Sequence, residues 1–197
     1  MKRIVVLVTF MLLLTAGVTT ATAQQHQTQP STTTATTTPT TTAQTTSRDA
    51  NREKLRALLD VAGPKINITF RQSDKQPYNF VGVLKTGLRN ADSFEIVISV
   101  SAQDTIHFRI FPHYHDAYLN IDKVRSGEGL MRHMVHFSDQ NFLFWGADGS
   151  GDIFAGYNFT LESGFPDASI RVVINSIAKL DEFVGQMRPE IDGSSDP

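Results

Sequence analysis

Between residues 66 and 110 apolar and polar positions alternate in four separate stretches. Ile66, Ile68 and Phe70 alternate with Asn67, Thr69 and Arg71, and Phe80, Gly82 and Leu84 share a face opposite Val81 and Val83. Phe94, Ile96, Ile98 and Val100 then alternate with Glu95, Ser99 and Ser101, and Ile106, Phe108 and Ile110 with His107 and Arg109. A period of two puts successive side chains on opposite faces of a strand, so the pattern predicts antiparallel strands with one buried and one wetter face. The connections Ser73–Pro77, Gly87–Asp92 and Ala102–Asp104 are short and polar, as hairpins require.

Helical spacing brackets these strands. Leu55, Leu58, Leu59 and Ala62 fall on one side of a segment from Arg52 to Ala62, with Arg52, Glu53, Arg56 and Asp60 outside, and Gly63-Pro64 stops it. A middle helix is predicted over Glu128 to Phe137, with Leu130, Met131, Met134 and Val135 as its apolar stripe and Gly127 and Gly129 weakening its start. Phe165-Pro-Asp167 leads into a long final helix striped by Ile170, Val173, Ile174, Ile177, Leu180, Val184 and Met187 and ended by Pro189. Before it comes a hairpin. Phe142 and Phe144 oppose Leu143 and Trp145 in its first strand, and Ile153, Ala155, Tyr157, Phe159 and Leu161 oppose Phe154, Asn158 and Thr160 in its second. This order predicts an α+β domain: a mostly antiparallel sheet of about five or six strands, with an N-terminal, a middle and a long C-terminal helix packed on one face.

The ends change the picture of where the protein works. Met1-Lys-Arg, the apolar run Ile4 to Leu14 and Ala21-Thr-Ala23 are the three parts of a secretory signal peptide, with cleavage expected after Ala23. The run is well short of the roughly 20 residues a spanning helix needs, so no membrane span is expected after cleavage. Export to the periplasm or beyond the cell follows. The chain has no cysteine, which excludes a lipid-anchored lipoprotein. Residues 24–49 are Thr-rich and read as a disordered linker that cannot bury enough apolar surface to offset ordering; residues 50–190 are the domain and 191–197 a disordered tail. Eighteen Lys and Arg against twenty Asp and Glu give a net charge of -2 without a basic stripe, which removes nucleic acid as a partner.

Candidate chemistry is sparse. Asp148-x-Ser150-x-Asp152 matches the first ligands of a calcium loop, but the sixth and twelfth positions are Ile153 and Phe159 where that loop needs Gly and Glu, so a hairpin turn is expected. His113, His115, His133 and His136 supply enough imidazoles for zinc if the fold brings them together, although neither pair lies in a known zinc signature. No Gly-x-Ser-x-Gly elbow, cysteine nucleophile or phosphate loop is present. Asp181-Glu182 reads as a solvated helix face. Asn67-Ile-Thr69 and Asn158-Phe-Thr160 are N-glycosylation sequons whose Asn face away from the predicted core.

The stretch NFLFWGADGSGDIFAGYNFTLESGFPDASIRVVINSIAKLDEFVGQM, with its Asp-Gly turn and following helix, resembles the closing hairpin and helix of the bacterial YbjN-type domain family. That family resembles the type III secretion chaperone fold, and the resemblance covers about Arg52 to Glu190. It implies a non-enzymatic protein-binding or regulatory role, without catalytic residues or cofactor, commonly as a homodimer. The histidine-rich middle segment departs from the pattern. Binding of a protein or peptide is expected at an open sheet edge or through outer-face apolar residues such as Val81, Val83, Trp145 and Phe154. The competing expectation is a zinc-binding or zinc-dependent protein using the histidines.

Overall fold

The computed structural model describes residues 41–194. The expected signal peptide, most of the expected linker and residues 195–197 lie outside them.

Helix α1 (Thr41–Ala62) buries Leu55, Leu58, Leu59 and Ala62, the face predicted for it. It begins well before Arg52, so residues 41–49, expected to belong to the disordered linker, are helical. The physical reason lies in two side chains of that stretch. Arg48 Nε donates to the Val100 carbonyl at 2.8 Å, with its guanidinium 3.5 Å from the Tyr78 ring centre. Asp49 accepts the Tyr78 hydroxyl at 3.0 Å. These contacts give the extra turns of helix a tertiary anchor that composition does not show.

The first alternating segment is the one strand prediction that fails. Gly63–Ile66 forms a 3-10 turn, Asn67 has φ of 59°, and the Ile68 N–H donates back to the Gly63 carbonyl. That backbone bond ties the segment to the end of α1 instead of a sheet, and only Arg71–Gln72 (β1) pairs. Ile68 is still fully buried, so the alternation marked burial correctly and geometry wrongly.

Four other strands form as predicted, β2 (Asn79–Leu84), β3 (Ser93–Val100), β4 (Thr105–Tyr114) and β7 (Ile153–Thr160), whereas β6 (Phe144–Ala147) begins two residues later than the strand expected from Phe142. A short β5 (Ala117–Tyr118), unpredicted, folds back on the end of β4. The sheet has seven strands in the order β1-β2-β3-β4-β7-β6, with β5 beside β4, and every pairing is antiparallel. In the centre, Ile96 lies opposite Ile110, Ile98 opposite Phe108 and Val100 opposite Ile106, all fully buried on the face that the helices cover. The chain is α+β with helices on one side of an antiparallel sheet.

Helix α2 (Gly127–Gln140) starts despite its glycines because Ser126 caps it, its Oγ accepting the Gly129 N–H at 3.1 Å. Its predicted stripe needs correction. Leu130, Met134 and Phe137 are buried, whereas Met131 is 50% and Val135 70% exposed. The helix rests on β6 and on the last helix along one narrow side, which leaves the neighbouring apolar positions outside. The expected long final helix is two: α3 (Asp167–Ser176) and α4 (Leu180–Ile191), joined by a 3-10 turn at Ile177–Lys179. All seven predicted stripe residues are buried. Pro189 lies inside α4 instead of ending it, and Ile191, assigned to the tail, is held as its carbonyl accepts the Arg125 N–H at 3.0 Å. Among the described residues no helix is long and apolar enough to cross a membrane.

Asp181 also departs from expectation. Only 6% exposed, it is no part of a solvated face. Its carboxylate accepts the backbone N–H groups of Arg89 (2.7 Å), Asn90 (3.0 Å) and Ala91 (2.8 Å), fastening the β2–β3 connection to α4. Removing the acceptor leaves the buried Ala91 N–H and the half-buried Asn90 N–H without a partner. Asp181→Ala is expected to cost about 2–4 kcal/mol in chemical denaturation, while Glu182→Ala, on the exposed neighbour, changes stability by less than about 0.5 kcal/mol.

Candidate interaction surface

The residues singled out for chemistry are distributed among structural tasks. Asp148 Oδ1 accepts the N–H groups of Ser150 (2.8 Å) and Asp152 (3.0 Å), while the Asp148 N–H donates to the Asp152 carbonyl at 2.9 Å. Gly151, at φ of 81°, supplies the left-handed residue of this turn. The buried Asn120 amide donates to the Ser150 carbonyl and to Asp152 Oδ1, both at 2.8 Å. The stretch is the corner of the β6–β7 hairpin, held from outside by Asn120.

The four histidines sit in different surroundings. The His113 ring lies 4.3 Å from Tyr118 on the sheet, and His115 stacks on Tyr114 at 4.2 Å in the β4–β5 turn. His133 on α2 faces Glu190, its Nε2 3.9 Å from Oε1, and His136 is exposed on the same helix. Among the described residues no group of three or more His, Asp or Glu side chains is placed to hold a metal ion. The fold does not assemble the cluster on which the zinc reading depends.

Two further polar features escaped the sequence. His115 (φ 52°) and Asp116 (φ 61°) form a two-residue hairpin turn in which both central residues take the left-handed conformation, with neither a glycine nor an asparagine to announce it. Beside it lies a cleft of about 320 Å³ lined by Tyr114, Tyr118, Lys123, Val124, Ile191 and Asp192. Asp192 Oδ2 accepts the Tyr114 hydroxyl at 2.5 Å. Hydrogen bonds from Ser194 and then Tyr114 hold the Asp192 carboxyl far below the usual carboxylate range. Burial, and then Asp192, raises the Tyr114 phenol; burial, and then the charge of Glu95, raises Tyr118.

Both sheet edges are blunt. β1 has two residues and β6 four, and the outward Trp145 N–H of β6 donates to Ser138 Oγ of α2 at 2.8 Å. An added strand finds little free backbone there, contrary to the expectation of an open edge. Trp145 is also not on the outer face. It is 7% exposed on the helix side, its ring 6.0 Å from Phe137 and 6.1 Å from Phe183. The sequons fall on exposed Asn67 and Asn158, the latter bonded through Oδ1 to His107 Nδ1 at 2.8 Å.

Three apolar areas remain open. On α2, Met131 and Val135 line a hollow of about 410 Å³ with Glu128, Arg132 and His136. Between the hairpin and α3, exposed Phe142 and Val172 border a groove of about 220 Å³ floored by Tyr157 and Phe159. Across the outer sheet face run Val81, Val83, Val97, Phe111, Phe144 and Phe154, of which only Phe154 is buried. It is covered by the Arg109 guanidinium at 4.0 Å and by the rings of Phe111 and Phe144.

No family model matches the chain, and a search of curated proteins finds no match. Among solved structures the chain is similar to the crystal structure of the ExsC-ExsE complex. The identity is 16%, the overlap takes in 67% of this chain and 91% of that chain, and the TM-score is 0.38. An overlap that loose carries no argument about fold or function. The three open areas are therefore the ground for a functional reading.

Iodide should leave Trp145 emission unquenched in the folded chain, and Trp145→Ala should lower stability by about 3–5 kcal/mol in denaturant titration. At alkaline pH the sign is equally definite. Because the Tyr114 and Tyr118 phenols are raised in the folded state, their contribution is intact below about pH 10 and is lost as pH climbs through the folded-state values. Tyr118→Phe should therefore shift the alkaline unfolding midpoint upward, read by far-UV circular dichroism.

Proposed function

We propose that this chain is an exported, non-enzymatic protein-binding module of YbjN-like type with a chaperone-like role towards its partner. The observation that carries the reading is the solvent side of α2. Met131 and Val135 sit one turn apart on a well-capped helix, half or more exposed, beside a hollow rimmed by Glu128, Arg132 and His136. An apolar centre with a charged rim is the usual anatomy of a protein contact. Met131 adds an adaptable side chain suited to partners of differing shape. The partner is a protein or peptide presenting an apolar strip flanked by charges of both signs.

The element order supports the YbjN-type assignment: helix, strands, helix, two-strand hairpin and closing helices. Export is supported by Met1-Lys-Arg, the apolar run and Ala21-Thr-Ala23. A homodimer, which the same resemblance implies, belongs to the proposal.

Two measurements test it. Mixed in equal amounts with a chemically denatured reporter protein, the full-length chain should suppress light scattering, and Val135→Asp should remove most of that effect while altering stability by less than about 0.5 kcal/mol. Equal suppression by the Val135→Asp chain would dismiss α2 as the contact. N-terminal sequencing of the chain recovered from an exporting host should begin at Gln24; a retained Met1 would dismiss the leader peptide.

A further inference from the structure

Sulfur is scarce in this chain and unevenly placed. The chain has no cysteine, and of its five methionines Met1 and Met11 belong to the expected leader. Met134 and Met187 are buried, whereas Met131 is half exposed on α2, so its thioether is the one solvent-exposed sulfur among the described residues. A thioether keeps its lone pair at any working pH, unlike an imidazole or an amine, and its oxidation is limited by access. Met134, three positions further along the same helix, has the same chemistry and no access.

The exposed sulfur also stands in the middle of the α2 surface. Glu128, Met131, Arg132, Val135 and His136 recur at helical spacing and together line the hollow of about 410 Å³. Arg132 donates to Glu128 at 2.6 Å across one turn, and Val135 lies one turn beyond Met131. The apolar centre of this hollow therefore consists of two side chains, and one of them is the methionine. Adding an oxygen to its sulfur turns a flexible apolar group into a polar, chiral one. The sulfoxide oxygen accepts hydrogen bonds, Arg132 and His136 beside it are donors, and the centre becomes as wettable as the rim. The helix keeps its seat, because Leu130, Met134 and Phe137 hold it to the core and Met131 takes no part there.

We propose that Met131 is a modification site, where oxidation of the thioether to the sulfoxide by hydrogen peroxide switches the α2 surface from a binding to a non-binding state. This inference rests on the α2 reading above and names its regulation. The sulfur lone pair attacks one peroxide oxygen, and the O–O bond breaks as the S–O bond forms. The proton on the transferred oxygen passes to the other oxygen, which leaves as water. Sulfur is oxidised by two electrons and peroxide is reduced by two. Methionine sulfoxide reductases return the thioether, so the switch runs both ways.

The test treats the full-length chain with hydrogen peroxide and follows each methionine by peptide mass spectrometry. Trypsin puts the three on separate peptides, since Arg125 and Arg132 bracket Met131 and Arg171 and Lys179 lie between Met134 and Met187. The Met131 peptide should gain one oxygen while the other two stay unmodified. Suppression of reporter light scattering should then weaken roughly tenfold, with circular dichroism and Trp145 emission unchanged. The two epimer-specific sulfoxide reductases with dithiothreitol should restore it. Met131→Leu should keep full suppression under peroxide, and Met131→Gln without peroxide should be as weak as the oxidised chain. Oxidation of Met134 as fast as Met131, an oxidised chain that suppresses as well as the untreated one, or an equal loss in Met131→Leu would each overturn the switch and leave the α2 reading standing. An untreated chain that suppresses nothing would overturn both.

Discussion

The pairing of β3 with β4 is the constraint on which the rest of the molecule depends. Its register sets Ile96 against Ile110, Ile98 against Phe108 and Val100 against Ile106, and all six side chains are fully buried. A slip of one residue would turn the whole set to solvent and bring Glu95, Arg109 and His107 into the core. β2 and β7 extend the same face outward, and the apolar sides of α1, α3 and α4 close over it. Arg48 and Asp181 then fix the covering layer at two places, through the Val100 carbonyl and the β2–β3 connection.

One-sidedness follows from that register and decides which faces stay open. A sheet that commits its inner residues to helices keeps a second face, and here that face mixes valines and phenylalanines with Arg71, Glu95, His107 and Arg109 instead of a uniform polar coat. α2 repeats the theme on a smaller scale. Its docking on β6 and α4 uses one narrow stripe, and Met131 and Val135 are left over. Polar side chains, by contrast, are largely engaged in holding backbone. Asp148 closes its own turn, Asn120 clasps the hairpin tip, Asp181 gathers three N–H groups and Asp192 takes the Tyr114 hydroxyl. The surfaces left for a partner are apolar ones with charged margins.

Much of the fold was legible because period-2 and helical spacing report burial directly. The faces of β2, β3, β4 and β7, the buried side of α1 and all seven stripe residues of the closing helices were readable from alternation alone. Failures came where burial and backbone geometry part company. Ile68 is buried without being in a strand, since Asn67 in a left-handed conformation turns the chain first. Residues 41–49 look disordered by composition, yet Arg48 and Asp49 find partners on Tyr78 and Val100 that lie far along the chain. The α2 stripe was drawn too wide because helical spacing gives a face but not how much of it a neighbour covers. The His115-Asp116 turn uses two residue types that enter positive φ more readily than most, but it lacks the glycine that usually marks such a hairpin, so the signal in the sequence is faint. For the interaction surface, the sequence singled out Val81, Val83 and Phe154 correctly as outer-face residues. It misplaced Trp145, because a strand pattern with aromatics on both sides does not say which side is in.

The central claim is that the apolar side chains of α2 stand in solvent and are available to a partner. A soluble paramagnetic probe tests it directly in methyl NMR spectra of the full-length chain. The account predicts strong broadening of the Met131 and Val135 methyl signals, with Leu130 and Met134 on the same helix untouched. Protection of all four would contradict it, since the surface proposed to meet the partner would then already be covered.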